Sequence, residues 1–165
     1  MTQQAYIMAE SMIPHRRRMR LIDRIKNPDQ QGLQAETTVR DVWPMYKNGA
    51  VSSIMCIELI AQSVSAFATW LRGSGASPRV GFLVGIKTAE FNSATLPIDT
   101  HLVITVKEIS RVGNYGVFRG EVSSGPTSFC AAVIQVIDPD RSTLQKIKEQ
   151  TPKSHGYIMR LLEND

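Results

Sequence analysis

One segment constrains the fold more than any other. From Ser53 to Arg72 the chain has helical periodicity and is apolar on nearly every side. A narrow polar stripe interrupts it at spacings of four, three and four residues, which share one helical face: Glu58, Gln62, Ser65 and Thr69. These polar residues favour a buried core helix over a membrane span. Such a helix has to be enclosed by other structure.

The two ends of this segment carry helix signals. Ser52 or Ser53 is suited to cap the first turn, and Gly73 and Gly75 are suited to close the last one. We therefore predict one long helix between these positions.

Strand-like segments lie on both sides of the helix. Apolar and polar residues roughly alternate from Arg18 to Lys26 and from Gly32 to Arg40, whereas residues 41–52 are predicted to be irregular. Four further strands are predicted after the helix: Val80–Phe91, His101–Arg111, Tyr115–Ser123 and Ser128–Ile137. The sequence thus predicts an α+β protein, with a curved antiparallel sheet wrapped around one long central helix.

The length of 165 residues suits a single domain with its own core. We predict a short helical lead-in over residues 1–12, the domain over residues 13–138, and a polar, helical tail over residues 139–165. The N-terminus lacks a signal-peptide pattern, and the two cysteines, Cys56 and Cys130, lie in apolar segments. We therefore expect a cytoplasmic protein with reduced thiols.

Three histidines are present, His15, His101 and His155, and they lack the spacing of metal ligands. We therefore expect no metal site.

The net charge of +4 is unevenly placed, with a basic cluster at Arg16, Arg17, Arg18 and Arg20. A solvated strand edge would explain the cluster without any partner, and the functional alternatives are an acidic protein or nucleic acid. No aromatic residues interleave with these arginines, which argues against nucleic acid. We also expect no membrane contact.

Glu58 is the first candidate for chemistry. Burial favours the neutral form of a carboxylic acid and makes it suited to general acid–base catalysis. The structural alternative is that Glu58 only hydrogen-bonds to Gln62 or to the backbone. Burying a charge without a purpose is costly, which favours the catalytic interpretation.

The start of the helix is the second candidate. Free amide groups and the positive end of the helix dipole could hold a substrate carbonyl there. Gly49, Ser52, Ser53 and the nearby Gln62 are therefore candidate substrate-binding residues. An ordinary capped helix explains the same pattern.

Several motifs, in the correct order, resemble the FabZ-type β-hydroxyacyl-acyl-carrier-protein dehydratases. Residues 13–16 (Ile-Pro-His-Arg) and 19–24 (Met-Arg-Leu-Ile-Asp-Arg) resemble the opening of that family. Residues 57–62 (Ile-Glu-Leu-Ile-Ala-Gln) resemble its central-helix signature. Residues 85–91 and 96–99 are similar to a later strand and the turn that follows it. The resemblance covers roughly residues 13–138.

Residues 47–53 and 81–85 are more similar to the divergent ApeP-like branch, which is associated with aryl-polyene biosynthesis. This resemblance implies a hot-dog fold that forms dimers or assemblies of dimers. It also implies dehydration of a β-hydroxyacyl chain, in fatty-acid or polyene/polyketide biosynthesis. The chain would be carried on the phosphopantetheine arm of an acyl carrier protein, so no other cofactor is expected. Carrier proteins are acidic, which makes them a partner for Arg16, Arg17, Arg18 and Arg20.

The sequence departs from the family at one important position. FabZ-type enzymes carry a catalytic histidine before the central helix, and the equivalent residue here is Pro44. None of the three histidines aligns with that role, and His15 is interpreted as structural or site-lining. Asp41 or Tyr46 could substitute for the missing base, or Glu58 could act alone. A mixed dimer, in which a partner subunit supplies the histidine, is a further possibility.

The leading hypothesis is a carrier-protein-dependent dehydratase, acting alone or as one subunit of a heteromeric enzyme. One alternative is an acyl thioesterase in which the helix carboxylate activates water. The other is a non-catalytic hot-dog subunit that binds acyl chains or scaffolds a synthase. Fold alone does not separate these hypotheses, because function depends on the site.

Overall fold

The computed structural model describes residues 6–140 together with residues 142, 145 and 146. Over residues 6–140, one α-helix and ten strands follow one another along the chain. The elements are β1 (Ile7–Met8), β2 (Arg24–Lys26), β3 (Gly32–Thr38), β4 (Tyr46–Lys47), β5 (Ala50–Ser52), α1 (Met55–Leu71), β6 (Phe82–Phe91), β7 (Thr95–Pro97), β8 (His101–Val112), β9 (Tyr115–Ser124) and β10 (Thr127–Ile137). Short 3-10 turns span Ala9–Ser11 and Arg17–Met19.

Seven strands form the main sheet, in the order β1-β2-β3-β8-β9-β10-β6, and every neighbouring pair is antiparallel. The helix α1 packs across its central strands β3, β8, β9 and β10. The architecture is therefore the predicted α+β hot-dog arrangement. In the described part of the chain, no helix is long and apolar enough to cross a membrane.

The alternation in β8 shows why the helix sits on this sheet. Leu102, Ile104 and Val106 are completely buried, while the residues between them are partly exposed. One face of the strand therefore packs against the core and the other faces outward.

Close contact between helix and sheet depends on Gly120 in β9. A Cβ atom built there would lie 2.4 Å from Cγ2 of Ile60, so only glycine leaves room for the helix at this point. The cysteines Cys56 and Cys130 are buried free thiols, in agreement with the prediction of reduced core residues.

The helix ends as predicted but begins differently. Gly73 and Gly75 adopt positive φ angles of 94° and 81° directly after the last turn. At the start, Ile54 occupies the cap position and no side chain caps the helix. The predicted capping by Ser52 or Ser53 is therefore wrong. The backbone of Ser53 makes the turn instead, because its carbonyl accepts a hydrogen bond from the amide of Cys56 at 2.9 Å.

The prediction that residues 41–52 are irregular holds for residues 41–45 but is wrong for residues 46–52. Strands β4 and β5 form a hairpin there, and β5 pairs with β7 in a separate three-stranded sheet. Asn48 and Gly49 both have positive φ angles, 51° and 81°, as a two-residue hairpin turn requires. The Asn-Gly pair was the sequence signal that could have revealed this hairpin.

The N-terminal region differs from the prediction in two ways. Ile7–Met8 is a strand at the edge of the main sheet, not part of a helix, because it pairs with Arg24 and Ile25. The predicted strand from Arg18 contracts to Arg24–Lys26, because the backbone of Met19 and Leu21 bonds to the side chain of Gln62 instead of to a strand. Most of the predicted helical tail lies outside the described residues, as does His155.

Candidate functional site

A cavity of about 250 Å³ runs beside the central helix. Helical residues along the polar stripe form one wall, and the start of β6 and the end of β10 form the opposite wall. The lining residues that define it are Glu58, Ala61, Val64, Ala68, Leu83 and Val136. Most of the lining is apolar, so this part of the cavity suits a hydrocarbon chain that begins beside a carboxylate. The other polar residues of the lining are His15, Ser65, Arg72, Arg79 and Asp138.

Glu58 is the carboxylate in this wall, and its side chain is 32% exposed. Its Oε1 accepts a hydrogen bond from Nε2 of Gln62 at 2.8 Å. The same oxygen lies 3.4 Å from Nε2 of His15. Within the described residues, no hydrogen bond or ion pair reaches Oε2, which leaves that oxygen available to a bound substrate. Glu58 is therefore less buried than the sequence-based expectation, and it makes the hydrogen bond to Gln62 that the structural alternative described.

Gln62 is completely buried, and both the nitrogen and the oxygen of its side-chain amide are hydrogen-bonded to protein groups. Its Nε2 donates to the carbonyl of Met19 at 2.7 Å as well as to Glu58, and its Oε1 accepts from the amide of Leu21 at 2.9 Å. These bonds fasten the N-terminal segment to α1 and orient the Glu58 carboxylate. Gln62 thus positions Glu58, and its predicted role in substrate binding does not fit this arrangement.

His15, which the sequence resemblance suggested as structural or site-lining, lines the same cavity as Glu58. Burial lowers the pKa of His15, while the negative charge of Glu58 opposes this effect and Arg16 adds to it. Nδ1 of His15 is buried and has no hydrogen-bond partner among the described residues. The imidazole is therefore favoured in its neutral form, in direct contact with the candidate acid–base residue.

The predicted substrate-binding residues at the helix start lie elsewhere. Gly49 is in the β4–β5 hairpin turn, and Ser52 and Ser53 lead into the helix, so none of the three lines the Glu58 cavity. The amide of Ser53 donates to the carbonyl of Ala94 at 3.0 Å, and its buried hydroxyl has no partner among the described residues.

The predicted substitutes for the missing histidine are also absent from the cavity wall. Asp41 is exposed on the surface, and Tyr46 is 40% exposed on β4. Pro44 precedes that strand and does not line the cavity. Within this chain, the hairpin region and the Glu58 site are therefore separate.

The basic cluster divides into two parts. Arg17, Arg18 and Arg20 line a concave surface together with Arg40 and Trp43. Arg16 instead folds back on its own backbone, and its Nη1 donates to the carbonyls of Ile13 and His15 at 2.6 and 2.9 Å. Arg40 was missed by the sequence analysis because it lies at the end of a different strand.

The far end of the cavity is polar. Arg72 donates to Asp138 at 3.1 Å and to the hydroxyl of Thr69 at 3.0 Å, and Arg79 lies beside them on the lining.

His101 lies away from this cavity, 3.9 Å from Glu36 on the sheet. In the part of the chain that the structure describes, no three His, Cys, Asp or Glu side chains come together as metal ligands.

The fold and this site define a hot-dog protein with a glutamate–histidine contact at an apolar cavity. The chain belongs to the ApeP-like family of dehydratases, since the family model described as ApeP dehydratase matches residues 7–149. A comparison with curated proteins gives no match.

Solved structures support the same fold. A chain of the dehydratase heterocomplex ApeI:P from Xenorhabdus doucetiae has a TM-score of 0.79 and 19% identity, covering 87% of this chain and 98% of that one. A hypothetical thioesterase with coenzyme A from Streptococcus pneumoniae has a TM-score of 0.54 and 13% identity, covering 68% and 82%. The PaaI protein from the phenylacetic acid degradation operon of E. coli has a TM-score of 0.52 and 14% identity, covering 68% and 80%. At these identities the likeness shows the fold alone.

Proposed function

We propose that this dehydratase acts on β-hydroxyacyl thioesters of an acyl carrier protein, with Glu58 as a proton-transfer residue and without the usual loop histidine. The observation that carries the proposal is the position of Glu58. Among the residues that the structure describes, none bonds to its Oε2, and its Oε1 is held by Gln62 at the wall of a largely apolar cavity. Dehydration needs a group that gives a proton to the leaving hydroxyl, and a carboxylic acid can do this. The cavity would hold the acyl chain.

The concave basic surface supports an acidic carrier protein as the partner. Arg17, Arg18 and Arg20 belong to the same N-terminal segment as His15, so a carrier docked on them would lie close to a segment that lines the Glu58 cavity. Complementary charge guides encounter and sets orientation between proteins. The phosphopantetheine arm of the carrier would deliver the thioester, and no other cofactor is proposed.

The free edge of the main sheet supports assembly with a second hot-dog subunit. In the described residues, β6 pairs only with β10. Large apolar side chains are exposed along it, including Leu83, Val84 and Ile86. A long apolar edge strand is a template for pairing with another chain. Because β6 also lines the cavity, the second subunit would border the site, as in a heteromeric dehydratase.

The first test follows the mass of a β-hydroxyacyl carrier protein incubated with the purified chain, alone and with a candidate hot-dog partner. The wild type should remove water from the acyl chain. Glu58→Gln should slow this reaction by at least about a hundredfold, because general acid–base groups contribute at least that much. Glu121→Gln, a change of the same kind at an exposed position on β9, serves as the matched control and should retain full activity.

The outcomes separate the hypotheses. Release of the free acid would favour a thioesterase over a dehydratase. Binding of the carrier without turnover under any condition would favour a non-catalytic subunit. Equal dehydration by the wild type and Glu58→Gln would overturn the role proposed for Glu58.

The carrier surface has its own test. Arg18→Glu should raise the KM for the carrier-bound substrate by about tenfold with little change in kcat, because the charge reversal weakens encounter. Arg119→Glu, on the exposed side of β9, is the control and should leave KM unchanged. An unchanged KM for Arg18→Glu at low salt would argue against docking at this surface.

A further inference from the structure

The contact between His15 and Glu58 brings together two proton-transfer groups that are far apart in the sequence. Nε2 of His15 lies 3.4 Å from Oε1 of Glu58, and both residues line the cavity. Elimination of water from a β-hydroxyacyl thioester needs a base for the α-proton and an acid for the leaving hydroxyl. The cavity wall presents one candidate for each role.

The segment that carries His15 is held firmly in place. The guanidinium of Arg16 bonds to the carbonyls of Ile13 and His15, and Ile13 itself is completely buried. Further along the segment, Gln62 bonds to the backbone of Met19 and Leu21. The side chain of Gln62 therefore joins the two halves of the site, because it bonds both to Glu58 and to the segment that follows His15.

We propose that His15 is the catalytic base of this dehydratase, working with Glu58 of the same chain as the acid. This inference rests on the proposed function, and it replaces the need for a histidine at Pro44 or from a partner subunit. Neither ring nitrogen of His15 is occupied by a structural hydrogen bond from the described residues. A purely structural histidine would be expected to use at least one nitrogen in that way.

The proton transfers made by His15 and Glu58 return both groups to their starting state at the end of the reaction. In the reactive form of the pair, one proton lies on Glu58 and His15 is neutral. His15 takes the α-proton, and the electrons of the broken C–H bond form the new double bond between the α and β carbons. The bond from the β carbon to oxygen breaks, and the hydroxyl leaves as water with the proton of Glu58, which leaves Glu58 ionised beside the protonated His15. His15 then returns its proton to the Glu58 carboxylate across the 3.4 Å contact, which restores both groups.

The charges around His15 suit a base. The charged groups that act on it are Glu58 on α1 and Arg16 on its own segment, with the neutral Gln62 beside Glu58. Burial outweighs the attraction of Glu58 and lowers the pKa of His15. The imidazole therefore remains able to accept a proton at neutral pH.

The test compares His15→Gln with the wild type in the same mass assay, with the chain alone and with its hot-dog partner. His15→Gln should lower kcat by at least about a hundredfold with little change in KM. His101→Gln is the matched control, because His101 is exposed and lies away from the cavity, and it should retain full activity. Thermal unfolding of each variant shows whether the fold is intact.

A second measurement isolates the base. A saturated acyl chain on the carrier cannot lose water, but its α-hydrogens can exchange with deuterated solvent. Glu58→Gln should retain this exchange, whereas a folded His15→Gln variant should lose it. A merely structural role for His15 would not produce this difference between the two variants.

The outcomes separate this inference from the proposed function. No dehydration by the wild type, alone or with a partner, would overturn both. Dehydration by the wild type with equal activity in His15→Gln would overturn only the role of His15. Exchange that is lost in Glu58→Gln but retained in His15→Gln would assign the base to Glu58, and would likewise overturn the inference.

Discussion

Two regions near the central helix make contrasting contributions to the site. At the cavity wall, Glu58 contacts both His15 and the buried Gln62, although His15 is far from the other two in the sequence. The hairpin region of residues 41–52 lies just before the helix, and the family resemblance places the usual catalytic histidine there. In this chain it carries Pro44 and exposed side chains that do not line the cavity. Closeness in sequence to Glu58 was therefore a poor guide to participation in its site.

Among the substitutions that test the contrast between the cavity wall and the hairpin region, Gln62→Leu is expected to have the largest effect. The change leaves the amide of Leu21 and the carbonyl of Met19 without their bonds to Gln62 and frees Glu58 from its orienting contact. We expect a loss of about 3 kcal/mol in the free energy of unfolding, since each unsatisfied buried group costs on the order of 1–3 kcal/mol. Dehydration should fall as well. Urea unfolding and the mass assay measure the two effects.

Gln34→Leu is the matched control for this prediction. Gln34 makes longer contacts, at 3.3 and 3.4 Å, on the partly exposed side of β3. Its replacement should cost less than about 1 kcal/mol. Similar losses in the two variants would show that Gln62 has no special role in joining the N-terminal segment to the helix.

A somewhat smaller effect is expected from Gly120→Ala. The added methyl group would meet the side chain of Ile60, and relief of the overlap should cost about 2 kcal/mol. The double variant with Ile60→Val should recover part of this loss, which a double-mutant cycle in urea would measure. Additive losses would show that the two residues do not compete for the same space.

A pH effect on stability should follow from His15. Because burial lowers its pKa in the folded chain, the unfolded chain binds more protons as the pH falls below about 6.5. This contribution to stability is complete above that pH and is lost progressively as the pH falls towards the folded pKa. The melting temperature of the wild type should therefore decrease more between pH 7 and pH 5 than that of His15→Gln. Parallel melting curves would contradict the prediction.

The smallest effect is expected in the hairpin region. Asp41→Asn combined with Tyr46→Phe should change kcat by less than about twofold, because neither side chain lines the cavity. The mass assay with the carrier-bound substrate provides the measurement. A decrease of tenfold or more would break the contrast between the two regions and assign one of these side chains to the site.

Much of the fold followed from local patterns. The all-round apolar helix demanded enclosure, and alternating residues identified strands such as His101–Val112 within a residue or two. The short β4–β5 hairpin was missed because its strands are too brief to show alternation, although Asn48-Gly49 marked its turn. The strand expected from Arg18 was too long because a side chain of α1 takes its backbone bonds.

The features of the site also divide into those that the sequence predicted and those that only the tertiary structure showed. By itself the sequence determined the helix, its polar stripe and the position of Glu58 on it, because helical periodicity fixes which residues share a face. Only the tertiary structure decided that His15 contacts Glu58 and that the Gln62 side chain bonds to the backbone of the N-terminal segment. It also decided that Asp41 and Tyr46 lie outside the cavity. The physical reason is that a contact between distant segments depends on how the N-terminal segment docks against the helix. That docking comes from burial and backbone hydrogen bonding, which local residue patterns do not specify.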